Sequence, residues 1–365
     1  MSAPTVIFAG GGSGGHLFPN MAVAERLPDA SHAYLVSSRA VDAGIVAKNS
    51  LDAVALPAAP LSLRPRGAWR FLKNWGASVR AARGVIASAK ARGPVAVLAS
   101  GGFVSAPAMQ AAKAEGVWSA IVNLDATPGK ASRFAARVAR ERYIVSDDPP
   151  DGWTALRPVV RAAFDALPDP DEARARLGLA RSTPTLLVTG GSQGARSLNL
   201  AMARALRENP AALAGWQALH QASGDDANEL RDAYDSAGVP ATIVPFIDDM
   251  PAAWASADLA VARGGAGTVG EAWASRTPLI ALPYPHHGDD HQLKNIAAMN
   301  VAGAAFAVID RMDPALTAPA LLDELETVIG DLDSVRAAAA ALPPPDGART
   351  LADRLRAGLD LHGAS

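Results

Sequence analysis

The 365-residue chain contains no cysteine. That excludes disulfides, a thiol nucleophile and any cysteine zinc site. Charge of one sign is also missing in bulk: the net charge is −2, which argues against a nucleic-acid partner held by overall charge. No run approaches the roughly eighteen apolar residues of a membrane span. The opening "MSAPTVIFAGGG" has neither a basic region nor a long apolar stretch, so no signal peptide is expected. On these absences a cytoplasmic protein, not integral to a membrane, is expected. At 49% hydrophobic and 19% charged the composition is ordinary for a globular protein, and the length suggests two domains.

Short apolar runs alternate with longer Ala- and Leu-rich helical patterns, the signature of an α/β fold with parallel sheets. "TVIFAG" (5–10), "VAVLAS" (95–100) and "SAIVNL" (119–124) read as buried strands. The first leads into a glycine loop and a helical pattern from Pro19, and Pro128 is placed to open the helix after the third. Periodicity falters at "SDDPPDGWTALRP" (146–158), the expected hinge. A second series follows with "TLLVTGG" (185–191), a helix from about Arg196, "ATIVPF" (241–246), "ADLAVAR" (257–263) and "PLIALPY" (278–284). The expected organisation is two facing Rossmann-like domains, residues 1–160 and 161–342. A C-terminal helix over 343–365, carrying Leu351, Leu355 and Leu359, is expected to pack back on the first domain.

Three strand ends run into glycine loops: "GGGSGGH", "GGSQGAR" and "RGGAGTVGE". Residues without Cβ let backbone N–H groups approach a diphosphate, and a following helix N-terminus adds positive potential. None carries the lysine of a P-loop, and the first is not a dinucleotide fingerprint. Each alone could be a tight turn; three at equivalent strand ends point to an anionic, nucleotide-like ligand.

In this order, "GGGSGGHLFPNMAVAERL", "SGGFVSAP", "PGKASR", "TGGSQGARSLN", "PFIDDM", "RGGAGTVGE" and "DDHQLKN" resemble the MurG-type transferases over residues 5 to about 305. The resemblance implies the two-domain GT-B architecture. It also implies transfer of N-acetylglucosamine from UDP-N-acetylglucosamine to an undecaprenyl-linked lipid acceptor, lipid I, with no metal or cofactor. Ser13, Gly14 and Gly15 would then lie by the diphosphate region, with His16 beside the reacting hydroxyl. Gly101 and Gly102 would serve the acceptor diphosphate, Arg161 the donor and Ser192 a donor phosphate. Ile247 would offer its backbone to uracil. Ala266, Gly267, Thr268, Val269 and Gly270 would wrap the ribose, with Glu271 accepting its hydroxyls and Gln292 bonding the sugar. One segment departs: where the family has His-Glu-Gln-Asn, this chain has Val122, Asn123, Leu124 and Asp125. Asp125 can accept bonds from sugar hydroxyls but cannot donate, and a carboxylate repels a diphosphate unless neutralised. Three alternatives stand beside the transferase: another acceptor or amino sugar on the same architecture, a UDP-sugar 2-epimerase, and a non-catalytic UDP-sugar-binding paralogue.

Inverting transfer needs a base, and a neutral histidine at a helix N-terminus suits that task. The bland alternative for His16 is a capping or packing role. His286, His287, Asp289, Asp290 and His291 crowd one loop, yet adjacent ligands there rarely converge on an ion, so no metal is expected. Residues 61–92 hold eight Lys and Arg, no acid, and interleaved Trp69, Phe71, Leu72 and Trp75. That pattern suggests an anionic membrane surface as partner, reached peripherally from the cytoplasmic face of the inner membrane. The alternative is a helix with its aromatics in the core and its arginines in solvent.

Overall fold

The structure is a computed structural model that describes residues 3–60, 65–191, 194–285 and 290–363. It divides into two units, residues 1–162 with 346–365, and residues 163–345.

The first unit is built on seven parallel strands: β1 (Thr5–Ala9), β2 (Ser31–Ser37), β3 (Ala53–Leu56), β4 (Val95–Ala99), β5 (Trp118–Asn123), β6 (Glu141–Val145) and β7 (Thr154–Leu156). Their order is β3-β2-β1-β4-β5-β6-β7. Strand β1 is buried along its whole length, as a parallel strand covered on both faces must be. Its period-two alternation sends Val6 and Phe8 to one face and Ile7 and Ala9 to the other. The first face is covered by α1 (Gly14–Ala24) and by the C-terminal helix Gly347–Gly363, whose Leu351, Leu355 and Leu359 are buried with Trp118. Gly358 lets that helix close on the indole, since a Cβ there would stand 2.5 Å from Trp118 Cδ2. The second face takes α3 (Pro65–Lys90) and α4 (Ser105–Ala114), after α2 (Ala40–Lys48) in the chain, and α5 (Lys130–Ala136).

The second unit repeats the scheme with β8 (Thr185–Thr189), β9 (Gln217–Gln221), β10 (Ala241–Val244), β11 (Leu259–Ala262), β12 (Leu279–Ala281) and β13 (Ala305–Ala307), ordered β10-β9-β8-β11-β12-β13. In both units the first strand pairs with its successor on one side and with a later strand on the other. The chain direction of winding therefore reverses beside β1 and β8, where open α/β sheets take ligands at the carboxyl ends of their strands.

Two differences from the sequence reading have clear physical causes. Helix α1 begins at Gly14, five residues before Pro19, and places Gly14, Gly15 and His16 in its first turn. Glycine depresses helix propensity but does not forbid helix at a terminus where N–H groups are unpaired anyway. Strand β9 reads "QALHQ" and looks polar, yet it is wholly buried because its side chains find partners. Gln217 Nε2 donates to the Ala180 and Thr183 carbonyls, Gln221 accepts from Thr189 Oγ1, and His220 sits between Tyr234 and Asn199. Strand β7 lies inside the Pro- and Asp-rich stretch 146–158, and the division between the units follows Ala162.

Candidate functional site

At the switch point of the first unit, the loop after β1 meets the loop after β4. His16 and Ser100 clamp one another there. Ser100 Oγ donates to the His16 carbonyl at 2.6 Å, and His16 Nδ1 lies 3.1 Å from the Ser100 carbonyl oxygen. A carbonyl only accepts, so this contact puts the imidazole proton on Nδ1 and leaves the Nε2 lone pair for other work. Glycine makes the approach possible. Gly101 and Gly102 hold φ of 108° and 75°, and a Cβ on Gly101 would stand 2.8 Å from the His16 ring. A Cβ on Gly102 would stand 2.2 Å from the Gly11 carbonyl oxygen. These two glycines therefore seat the histidine and the first loop, whatever ligand they also meet.

Beneath the loop lies Asp42, fully buried on α2. It accepts from Gly12 N (3.0 and 2.8 Å), from Ser37 N at 3.0 Å and from the Ser37 hydroxyl. The net effect on His16 is a pKa below its ordinary value. Burial lowers it, and the Ser100 bond and the charges of Asp125 and Asp42 oppose without prevailing. The expected neutral imidazole follows, with burial rather than the helix dipole as the leading cause. Ser13 caps α1 through its backbone only, Gly14 is buried and Gly15 is exposed. Asp125 lies in the loop after β5, whose course Asn123 fixes by donating to the Asp125 and Thr127 carbonyls. Arg161 belongs to this unit as well. Its Nε donates to Glu25 at the end of α1, and the other Glu25 oxygen accepts from Ala162 N at 2.7 Å.

In the second unit the loop after β11 runs into the helix Ala266–Ser275, capped by Gly265 without a side-chain bond. Gly264 lets the short helix His291–Asn295 approach, since a Cβ there would stand 2.5 Å from the Gln292 carbonyl oxygen. That approach sets Gln292 against the glycine that precedes the helix. Gln292 Oε1 accepts from Tyr284 N at 2.8 Å, leaving Nε2 as the donor end of the amide. Val269 and Gly270 are buried in the helix. Glu271 is largely enclosed and accepts from Trp254 Nε1 at 2.8 Å; burial pushes its carboxyl up to about 7 against that bond. Ile247 is buried in the loop that follows β10. Ser192 falls outside the described residues, as do His286, His287 and Asp289.

A buried ion pair that sequence reading did not single out ties these loops together. Arg263 donates to Asp310 Oδ2 (2.7 Å), to the Leu282 carbonyl (2.8 Å) and to Ser197 Oγ (2.6 Å). Burial alone would raise the Asp310 carboxyl; bonds from Ser197, the Met312 N–H and Arg263 outweigh it and hold the carboxyl low. A paired, fully hydrogen-bonded charge is the form in which such groups survive inside a protein.

Two family models match: the glycosyltransferase family 28 N-terminal domain over residues 6–144 and the C-terminal domain over 185–328. Relatives named UDP-N-acetylglucosamine–N-acetylmuramyl-(pentapeptide) pyrophosphoryl-undecaprenol N-acetylglucosamine transferase are similar along nearly the whole chain. The one from Desulforudis audaxviator is 33% identical, covering 95% of this chain and 96% of the relative. That from Xanthomonas euvesicatoria is 36% identical, covering 97% and 80%. Among solved structures, Acinetobacter baumannii MurG has a TM-score of 0.73 at 22% identity, covering 97% of this chain and 99% of that one.

The chain belongs to the MurG family.

Within a MurG-family frame the residues missed by sequence reading are Ser100, Asp42 and Arg263. Ser100 had a visible signal, a hydroxyl closing an otherwise apolar strand. Asp42 had none, because an acid in the first turn of a helix is commonplace.

Glu271 yields a test that needs no substrate. Its folded pKa is raised from 4.5 to about 7, so the folded unit holds a proton that the unfolded chain releases. Stability should therefore fall as pH rises from about 4.5 to 7. Urea unfolding of wild type and Glu271→Gln should diverge over that window, with wild type losing ground at pH 8. Parallel curves at pH 5 and pH 8 would refute the raised carboxyl.

Proposed function

We propose that this chain transfers N-acetylglucosamine from UDP-N-acetylglucosamine to the muramoyl sugar of undecaprenyl-diphosphate-linked lipid I, giving lipid II for peptidoglycan synthesis. The observation that carries the reading is identity of 33–36% to transferases of that name along nearly the full chain. The epimerase alternative rests on fold alone: a solved UDP-N-acetylglucosamine 2-epimerase is 13% identical with a TM-score of 0.61.

In this reading the lipid-linked acceptor meets the glycine loops of the first unit, and the second unit holds most of the donor. His16 Nε2 takes the proton of the acceptor hydroxyl. The freed oxygen attacks the anomeric carbon with inversion, and the bond to the UDP oxygen breaks. Loop amides and the N-terminus of the Ala266–Ser275 helix stabilise the charge of the departing diphosphate, as preorganised donors do. Ribose hydroxyls donating to Glu271 would favour its ionised form, and Gln292 Nε2 faces the sugar. Arg161 adds a cation for the donor. Ser192 keeps the phosphate role implied by its motif. Asp125 accepts from a sugar hydroxyl.

Docking on the cytoplasmic face of the membrane is part of the proposal. No described helix is long and apolar enough to cross a bilayer. Helix α3 splits its aromatics between two tasks. Trp75 packs against the core, meets Phe134 edge-on at 5.6 Å and carries the Phe71 ring at 5.4 Å. Trp69 and Leu72 are 61% and 70% exposed, with Lys73 over the Trp69 ring. An exposed indole and leucine among basic residues suit an anionic interface. Arg64 lies outside the described residues.

Two experiments test these claims. His16→Ala should lower turnover with a short-chain lipid I analogue by about 10²–10⁴, the usual worth of a general base, while the KM for UDP-N-acetylglucosamine stays near wild type. Undiminished turnover would remove His16 from the chemistry. Joint replacement of Trp69 and Leu72 by serine should weaken co-sedimentation with phosphatidylglycerol vesicles and leave transfer to a soluble acceptor intact; unchanged vesicle binding would refute the α3 surface.

A further inference from the structure

The first glycine loop departs from a plain anion cradle at Gly12. Its N–H points inward to both oxygens of Asp42, so it is withdrawn from any ligand lying over the loop. With φ at 96° the same residue turns its carbonyl the other way, where it accepts from Arg39 Nη1 at 3.1 Å. The Arg39 guanidinium also lies over the Phe103 ring, 5.2 Å from its centroid. Phe103 in turn closes on the loop, since a Cβ on Gly12 would stand 3.0 Å from Phe103 Cε1 and 3.6 Å from Arg39 Nη1. The arginine is thus held at two points, beside the loop that carries His16.

Charge gives this arrangement a purpose. Asp42 and Asp125 both act electrostatically on His16, so a diphosphate brought here meets two carboxylates and one backbone donor fewer. Such a site repels its ligand unless a cation offsets it. Arg39 is that cation: it is exposed and forms no ion pair with a described residue. With Nη1 spent on Gly12, the guanidinium keeps further N–H groups in the planar fork that suits phosphate oxygens. We propose that Arg39, seated on Gly12 and Phe103, is a binding residue for the diphosphate of the acceptor. The inference rests on the reading that the acceptor meets the loops of the first unit, and it deepens that reading.

The test is steady-state transfer by the full chain to a short-chain lipid I analogue, comparing wild type, Arg39→Ala and Arg39→Lys. Loss of a charged hydrogen bond to phosphate should raise the acceptor KM about tenfold or more in Arg39→Ala. The turnover number and the KM for UDP-N-acetylglucosamine should change little, and lysine should restore part of the loss as a point charge. The acceptor KM should also lose part of its dependence on salt. An analogue with a neutral linkage in place of the diphosphate should not distinguish the variants. An unchanged acceptor KM, an equal rise in donor KM, or the same penalty with the neutral analogue would each overturn the assignment. The underlying reading fails separately, if His16→Ala keeps full turnover, so the two failures are distinguishable.

Discussion

The mutual clamp between His16 and Ser100 is the contact on which the rest of the first unit's site depends. Two hydrogen bonds, one in each direction, tie the start of α1 to the end of β4. Each is worth only about 0.5–1.5 kcal/mol. Their larger effect is geometric, because they decide which nitrogen carries the proton and where the other one points. Reacting groups displaced by about 1 Å can cost a hundredfold in rate. The glycines at 101 and 102 answer to the same constraint: an imidazole cannot lie against a strand end unless that strand end lacks side chains.

The second unit solves an equivalent problem with charge. The segments after β8, β11, β12 and β13 are joined through the buried Arg263–Asp310 pair, the Leu282 carbonyl and Ser197. Glycine again permits the approach, with Gly264 admitting the backbone of Gln292. In both units, small residues bring the chain close and buried polar groups then fix it. The cost of burying those groups is offset because each finds partners. The two loops at Gly12 and Gly264 differ in outcome: the first turns a backbone donor inward to Asp42 and its carbonyl to Arg39.

Apolar strands and glycine loops could be read from the residues because both follow from local chemistry. "TVIFAG" and "VAVLAS" have no other way to be satisfied than burial in a parallel sheet. Strand β9 escaped that logic, since Gln217, His220 and Gln221 are buried only through partners distant in the chain. The sequence pattern points to Pro19 as the start of α1 because proline is a louder signal than glycine, yet Gly14 leads the helix. Motifs point to candidate binding residues, but not to the supports behind them. Asp42, Ser100 and Arg39 act through contacts spanning 27 to 84 residues in the chain. The residue pattern of 61–92 presents its aromatics as a single set, whereas packing puts Trp75 against the core and leaves Trp69 exposed.

The most direct test of the central claim, that a half-buried, Ser100-held His16 works as a neutral base, is the pH dependence of kcat/KM for the acceptor in wild type. That quantity reports groups on the free enzyme. Burial lowers the His16 pKa against the pull of Ser100, Asp125 and Asp42. The account predicts a rate that holds steady as pH falls to about 6.5, the ordinary imidazole value, and declines only below it. A decline centred above that value would mean that His16 is stabilised as imidazolium, and would contradict the account.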